Sequence, residues 1–405
     1  MTDFVLYDAA EIAVGPGVDE PIETIEDAAI AVADGEVVAV GPTDEITREH
    51  PPENAADSLD ASGNAVVPGF VDPHTHALFA GDRSDEFEAK LRGKTYQEIL
   101  ADGGGILKSV RAVREASEDE LVSNLLGHLD TMLAHGTTTV EVKSGYGLDT
   151  ETELRMLAAT GRADEQHPVD VVPTFMGAHA VPQGRDADDY VDEVCEEQIP
   201  AAAEQGIATF CDVFCEEGVF SVEQSRRVLK VGREHGMTPK VHAEELAHIG
   251  GTKLAAELGA TSADHLLHST EEDVDALVEA DVIPVLLPGT AFGLGAEYAD
   301  ARGMLDQGAP VAIATDFNPN CHSHSMGFAQ SLACVGMRMT PAEALRASTT
   351  NAAAALDLGA RTGTLRERAP ADFAVVDAPS FRHVPYQYGT NLVETVVKAG
   401  ERVHG

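Results

Sequence analysis

The chain has 405 residues with 43% hydrophobic content, enough to bury one large core or two unequal ones. Sixty-nine Asp and Glu stand against 27 Lys and Arg, a formal charge of −42 dispersed along the whole length. Such a surface repels phosphate backbones and anionic lipid, so nucleic acid and membrane surfaces are excluded as expected partners. A dispersed carboxylate coat with scarce lysine also suits a halophilic protein, since self-repulsion is screened where the Debye length falls to ~3 Å at 1 M salt. Cys195, Cys211, Cys215, Cys321 and Cys334 are an odd number without CxxC pairs, which argues against a disulfide framework or a structural zinc. The opening Met1-Thr2-Asp3-Phe4 lacks a basic and an apolar leader region, and no run reaches the ~18 apolar residues of a membrane span; a cytoplasmic location is expected.

Taken in chain order, Phe4 to Tyr7 and Ile30 to Val40, with a turn at Asp34-Gly35, read as antiparallel strands. From Asn64 strand-like runs alternate with helical patterns. The runs are Val66–Val71, Thr137–Val142, Val169–Phe175, Thr209–Phe214, Pro239–Val241, Ser262–His265, Val282–Leu287 and Val311–Thr315. Amphipathic stretches such as Glu118–Leu133, Thr152–Gln166 and Ser221–His235 separate them. Eight strands, each followed by a helix or long loop, predict an α/β fold of the (β/α)8 TIM barrel type over residues 64–357. Phe373–Asp377 and Leu392–Val397 are again short strands, so residues 1–63 and 358–405 are expected to pair into a small β-sandwich domain.

Active sites of such barrels lie at the C-terminal strand ends, so the residues following each run carry the chemistry. His74-Thr75-His76 follows the first run, and residues at i and i+2 of a strand project the same way, so both imidazoles can grip one metal ion. Later runs end in Lys143-Ser144-Gly145-Tyr146-Gly147, Gly177-Ala178-His179, His242-Ala243-Glu244-Glu245, Asp264-His265 and Thr315-Asp316-Phe317-Asn318. Chance rarely places so many histidines at strand ends.

Bland readings compete at each position. His179 reads equally as a loop histidine, Glu244 or Glu245 as a helix N-terminus, and Asp316 as an N-cap. His322-Ser323-His324 is a second HxH, but no strand precedes it, and it is set aside as a metal site. HExxH is excluded around His248 because Ala243 follows His242. Gly103-Gly104-Gly105 lacks the GK[ST] of a phosphate cradle and reads as a flexible active-site loop.

With HxH after strand one, His after strands five and six and Asp after strand eight, the chain resembles the amidohydrolase superfamily of metal-dependent barrels. Gly363-Thr364-Leu365 followed by Ala371-Asp372-Phe373 is similar to that superfamily's returning β-domain. The segments His74 to Arg83, Gly103-Gly104-Gly105-Ile106, Lys143 to Gly147, Gly177-Ala178-His179, His242 to Glu245 and Ala314 to Pro319 resemble the imidazolonepropionase family within it. One departure is Asn318-Pro319-Asn320-Cys321, where that family continues Asn-Pro-Gly-Ser or Asn-Pro-Gly-Thr.

The resemblance implies hydrolysis of a cyclic amide bearing a carboxylate tail, with His74, His76, His242 and Asp316 holding one divalent ion, Zn2+ or Fe2+. Related two-metal enzymes place a carboxylated lysine after strand four, and the stretch Cys211 to Glu216 has none, so one ion per chain is expected. Glu245 takes the role of proton shuttle, His265 orients the attacking hydroxide or stabilises the oxyanion, and Asp316 serves as base. Arg83 suits the tail because its planar fork matches a carboxylate, while Tyr96, Tyr146, His179, Glu245, Asn318, Asn320 and Cys321 are placed at the substrate. A homodimer is implied as well. The rival activity is a deaminase of a nucleobase-like ring, which shares the same ligand pattern, and a catalytically silent scaffold barrel is the alternative of another class.

Overall fold

The computed structural model describes every residue except Met1, Asp19, 95–97, Leu100 and Ala101. Eight parallel strands form the central barrel sheet: Phe70–Asp72, Thr137–Lys143, Asp170–Ala178, Phe210–Cys215, Thr238–Ala243, Ser262–His265, Ile283–Leu286 and Ala312–Ile313. Each bonds to the next in chain order. All are buried on both faces, which is why they read as near-continuous apolar runs rather than alternating ones. Several of the helices between them start at built caps. Ser117 and Glu120 form a capping box ahead of Glu118–Ala134, and Asp149 caps Thr150–Asp164. Leu121, Leu125, Leu129, Met156 and Leu157 on these helices join the main core around the barrel.

The run Val66–Val71 is two strands, not one. Ala65–Pro68 pairs with Phe4–Gly15 and Phe373–Val376 in the sheet of the termini, whereas Phe70–Asp72 opens the barrel. Gly69 stands at the switch, where a Cβ would collide with the Thr138 side chain. The chain therefore changes sheets at Gly69, a few residues later than the boundary at 64 read from texture, because an unbroken apolar run carries no mark of the crossing. The terminal sheet adds Glu23–Ala33, Glu36–Pro42, Asp57–Asp60, Val393–Lys398 and Glu401–His404, so both chain ends build one body. Asp34 (φ 52°) and Gly35 (φ 74°) make the expected hairpin turn. Phe4, Leu6, Ile12, Ile30, Val66 and Phe373 form this body's own core.

The barrel's first and last strands meet through the residues that follow them. Asp316 N–H donates to His74 O (3.1 Å) and His76 N–H to Phe317 O (2.9 Å). Beneath them Asp72 accepts from the Thr315 amide (3.1 Å) and hydroxyl (2.5 Å). The seam that joins these two strands thus sets His74, His76 and Asp316 side by side. Among the described residues no helix is long and apolar enough to cross a membrane.

Candidate active site

At the C-terminal mouth, His74, His76, His242, His265 and Asp316 converge, and all five are buried. His76 Nε2 and His242 Nε2 lie 3.4 Å apart, and Asp316 Oδ1 is 3.6 Å from His74 Nε2 and 3.7 Å from His76 Nε2. Two donors each about 2.1 Å from a shared ion stand about 3.4 Å apart at the tetrahedral angle, so these spacings fit one small cation. His74 Nε2 has no hydrogen-bond partner although fully buried. A buried nitrogen without a partner is costly unless something else takes its lone pair. His74, His76 and Asp316 form one trio with donor atoms mutually within 4.8 Å, and His74, His242 and His265 form another.

The outer nitrogens of two of these rings meet carboxylates. Asp264 Oδ2 is 2.6 Å from His74 Nδ1, and Asp212 Oδ2 is 3.0 Å from His242 Nδ1. At His74 the bonded carboxylate keeps the proton on Nδ1 and turns the Nε2 lone pair inward, and at His242 the carboxylate stands in ion-pair contact with Nδ1. Burial alone would raise the Asp212 carboxyl, yet His242 and Lys143 hold it well below the usual carboxylate range. Burial lifts Asp264 to about 6, against the pull of Lys240 and Lys143. Burial also drives His74 and His76 well below the ordinary imidazole range, leaving them neutral and able to donate lone pairs. Thr290 hydroxyl bonds Asp316 Oδ2, which leaves Oδ1 facing the histidines.

Lys143, from the second barrel strand, lies 2.7 Å from both Glu141 Oε2 and Asp212 Oδ2. Burial would lower its ammonium, but Asp212, Glu141 and Asp264 together hold it above the ordinary lysine range. Its ammonium is taken up by the two carboxylates it bonds. Lys143 thereby anchors the acid paired with His242.

Several site residues hold left-handed backbone angles: Glu244 at φ 51°, His265 at φ 81° and Asp316 at φ 50°. Non-glycine residues persist in such conformations only when surrounding bonds over-determine them, and this clustering is typical of functional sites. The two adjacent glutamates divide their work. The Glu244 carboxylate is consumed by the backbone amides of Gly250, Gly251 and Thr252 (2.7–2.8 Å). Glu245 faces inward, its Oε2 3.7 Å from His265 Nε2, and burial lifts it to about 7. It can carry a proton at neutral pH.

Tyr146 and His179 flank His76. The His179 ring stacks on His76 at 4.7 Å, and Tyr146 lies 5.9 Å from His76 and 5.4 Å from His179. The turn holding Tyr146 is gathered by the Glu153 carboxylate, which accepts from the amides of Gly145, Gly147 and Leu148. Gly145 sits at φ 103°, and a Cβ there would come within 2.8 Å of His179 Nδ1, so glycine lets the two walls close.

Arg83 is buried, with Nε and Nη2 2.9 and 2.8 Å from Glu86 Oε2. Asn318 spends its side chain on its own loop, donating to Asp316 O and accepting from the Asn320 and Cys321 amides. Asn320 Oδ1 accepts from Lys90 Nζ (2.7 Å), and Cys321 is buried with its thiol pushed up to about 12. Tyr96 lies outside the described residues. His322 and His324 pack around Phe317 with His128, away from the converging nitrogens. His248 pairs with Asp273 (2.9 Å), and Gly105 N–H donates to Glu86.

The Amidohydrolase family model matches residues 65–403. The chain is 70% identical to the imidazolonepropionase of Haloarcula marismortui over 402 residues, covering 99% of this chain and 96% of that protein. The chain belongs to the imidazolonepropionase branch of the amidohydrolase family. The Halobacterium salinarum imidazolonepropionase is 62% identical (98% and 97% covered), and that of Symbiobacterium thermophilum 49% (99% and 97%). Among solved structures, a zinc-bound adenosine deaminase from Xanthomonas campestris superposes with TM-score 0.76 at 20% identity, covering 100% of this chain and 93% of that one. Escherichia coli guanine deaminase gives 0.73 at 16%, covering 99% and 98%. At such identities these two share the amidohydrolase fold alone.

Asp212, Glu153, Glu216 and Thr290 belong to no motif in the sequence, and Asp264 stands out there only as the neighbour of His265. Glu216 accepts the amides of Glu245, Leu246 and Ala247, so it shapes the segment that aims Glu245. A signal existed for Asp212: an acid inside the apolar strand Phe210–Cys215 must be paired if that strand is buried. Nothing local indicates which base it meets.

Proposed function

We propose that this chain hydrolyses the cyclic amide of imidazolonepropionate to N-formimidoyl-L-glutamate, the reaction of histidine degradation, with His74, His76, His242 and Asp316 holding one divalent ion. The placing of His76 Nε2 at 3.4 Å from His242 Nε2 and 3.7 Å from Asp316 Oδ1, beside an unpartnered His74 Nε2, carries this reading. Bound there, the ion supplies Lewis acidity and brings the pKa of a water down to about 7. Three imidazoles and a carboxylate suit zinc and iron(II) alike.

The remaining work falls to the chain's own groups. Asp316, its Oδ2 held by Thr290, accepts the proton of the attacking water from its place beside the histidines. Neutral His265, kept near pKa 3 by burial, donates an N–H to the developing oxyanion. The carbon–nitrogen bond then breaks, and Glu245 delivers a proton to the departing ring nitrogen. Its acid form is available because burial holds it near 7. Tyr146 and His179 border the ring on the His76 side, and Arg83 takes the propionate.

The −42 charge and the kinship with Haloarcula and Halobacterium proteins support function in a concentrated-salt cytoplasm. To test the activity, imidazolonepropionate is generated from urocanate with urocanase in molar KCl and its decay followed. Formimidoylglutamate formed faster than spontaneous decay allows is the expected result. Ammonia release from a nucleobase-like ring, with imidazolonepropionate untouched, would favour the deaminase alternative.

A further inference from the structure

We propose that Lys90 is a second cation for the substrate's carboxylate tail, acting with Arg83, and this rests on the reading above. The chain has eight lysines. Six of the other seven, Lys94, Lys108, Lys143, Lys240, Lys253 and Lys398, lie within 4.0 Å of a carboxylate. In a chain with 69 acidic residues that is the ordinary fate of an ammonium.

Lys90 is different. It is partly buried, and its Nζ bonds the neutral amide oxygen of Asn320 at 2.7 Å. Burial and the neighbouring Arg83 guanidinium depress its ammonium below the ordinary lysine range. The local acid, Glu86, has one oxygen committed to Arg83 Nε and Nη2 and the other to the Gly105 amide. Arg83, Lys90 and Glu86 therefore sum to one excess positive charge.

That excess stands against the loop Asn318–Cys321, which directly follows Asp316. Arg83 disfavours the neighbouring Lys90 ammonium, and an arriving anion relieves that repulsion. A carboxylate replacing the Asn320 amide at Lys90 exchanges a neutral hydrogen bond for a charge-assisted one, roughly twice as strong. The ligand class is a small monocarboxylate attached to a planar ring that reaches the histidine cluster.

The test compares Lys90→Met, which keeps length and loses charge, with Lys90→Arg, which keeps charge. KM and kcat are measured with imidazolonepropionate, and inhibition with imidazolepropionate and its uncharged propionamide, at one fixed salt concentration. Lys90→Met should raise KM and the inhibition constant of the carboxylate about tenfold or more, while metal stoichiometry and propionamide binding hold. Lys90→Arg should recover most of the loss. Equal weakening of carboxylate and amide would mean Lys90 only braces the loop through Asn320, and unchanged carboxylate binding would show that no tail reaches it; either overturns the inference. Wild-type protein that leaves imidazolonepropionate intact would instead sink the reading on which the inference depends.

Discussion

Asp264 touches no substrate in this account, yet its removal should weaken metal binding in a graded way. Its Oδ2 lies 2.6 Å from His74 Nδ1, and both side chains are fully buried. Asp264→Asn can still present an oxygen to Nδ1–H, so orientation survives while the charge assistance is lost. Metal affinity should fall about tenfold, or about 1.4 kcal/mol. Asp264→Ala removes the acceptor and leaves a buried N–H unpaired, so the loss should approach a hundredfold, about 2.8 kcal/mol. Lys143 keeps Asp212 and Glu141 in both variants, so no buried charge is abandoned. Competition against a fluorescent chelator at fixed pH and salt gives the affinities, and thermal unfolding of the metal-free proteins checks that the fold persists. If both variants bind the ion within twofold of wild type, a carboxylate at Nδ1 does not tune His74 and the reasoning fails.

Glu245→Gln should retain stoichiometric metal while kcat drops about 10²–10⁴-fold, the usual range for a positioned acid–base group; normal turnover removes Glu245 from the chemistry. Because burial raises the Glu245 pKa to about 7, its acid form prevails below that value and disappears above it, so kcat should decline as pH rises past about 7. A profile that stays flat well above neutral, measured on metal-saturated enzyme, contradicts the assignment. Arg83→Ala should raise KM about tenfold or more with metal content intact; parallel loss of metal would make Arg83 structural. Gly69→Ala should destabilise the protein by about 1–3 kcal/mol in denaturant titration, because its Cβ runs into Thr138 at the sheet crossing, and an unchanged midpoint would show that the crossing tolerates a side chain.

Much of the fold was legible because barrel strands and their helices carry different periods, and the eight runs kept their order. The crossing at Gly69 was hidden, since Ala65–Val71 is apolar throughout and a change of partner strand leaves no trace in hydropathy. At the site, the histidines and Asp316 were readable because each follows a strand, where barrels place chemistry. Which of two adjacent glutamates faces inward was not fixed by spacing alone: Glu244 is turned away by the amides of Gly250 and Gly251. Asp212 was marked as an acid needing a partner in a buried apolar strand, but which partner was hidden, for His242 lies on another strand. The likeness at Asn318 suggested a substrate contact, but its side chain here closes its own loop.

Crystals of metal-reconstituted protein, with anomalous scattering collected at the ion's absorption edge, test the central claim most directly. A single peak per chain is predicted, bonded to His74, His76 and His242 nitrogens at about 2.0–2.1 Å and to an Asp316 oxygen at about 2.0–2.2 Å. No peak between those four side chains, or an ion held by residues elsewhere, would contradict it.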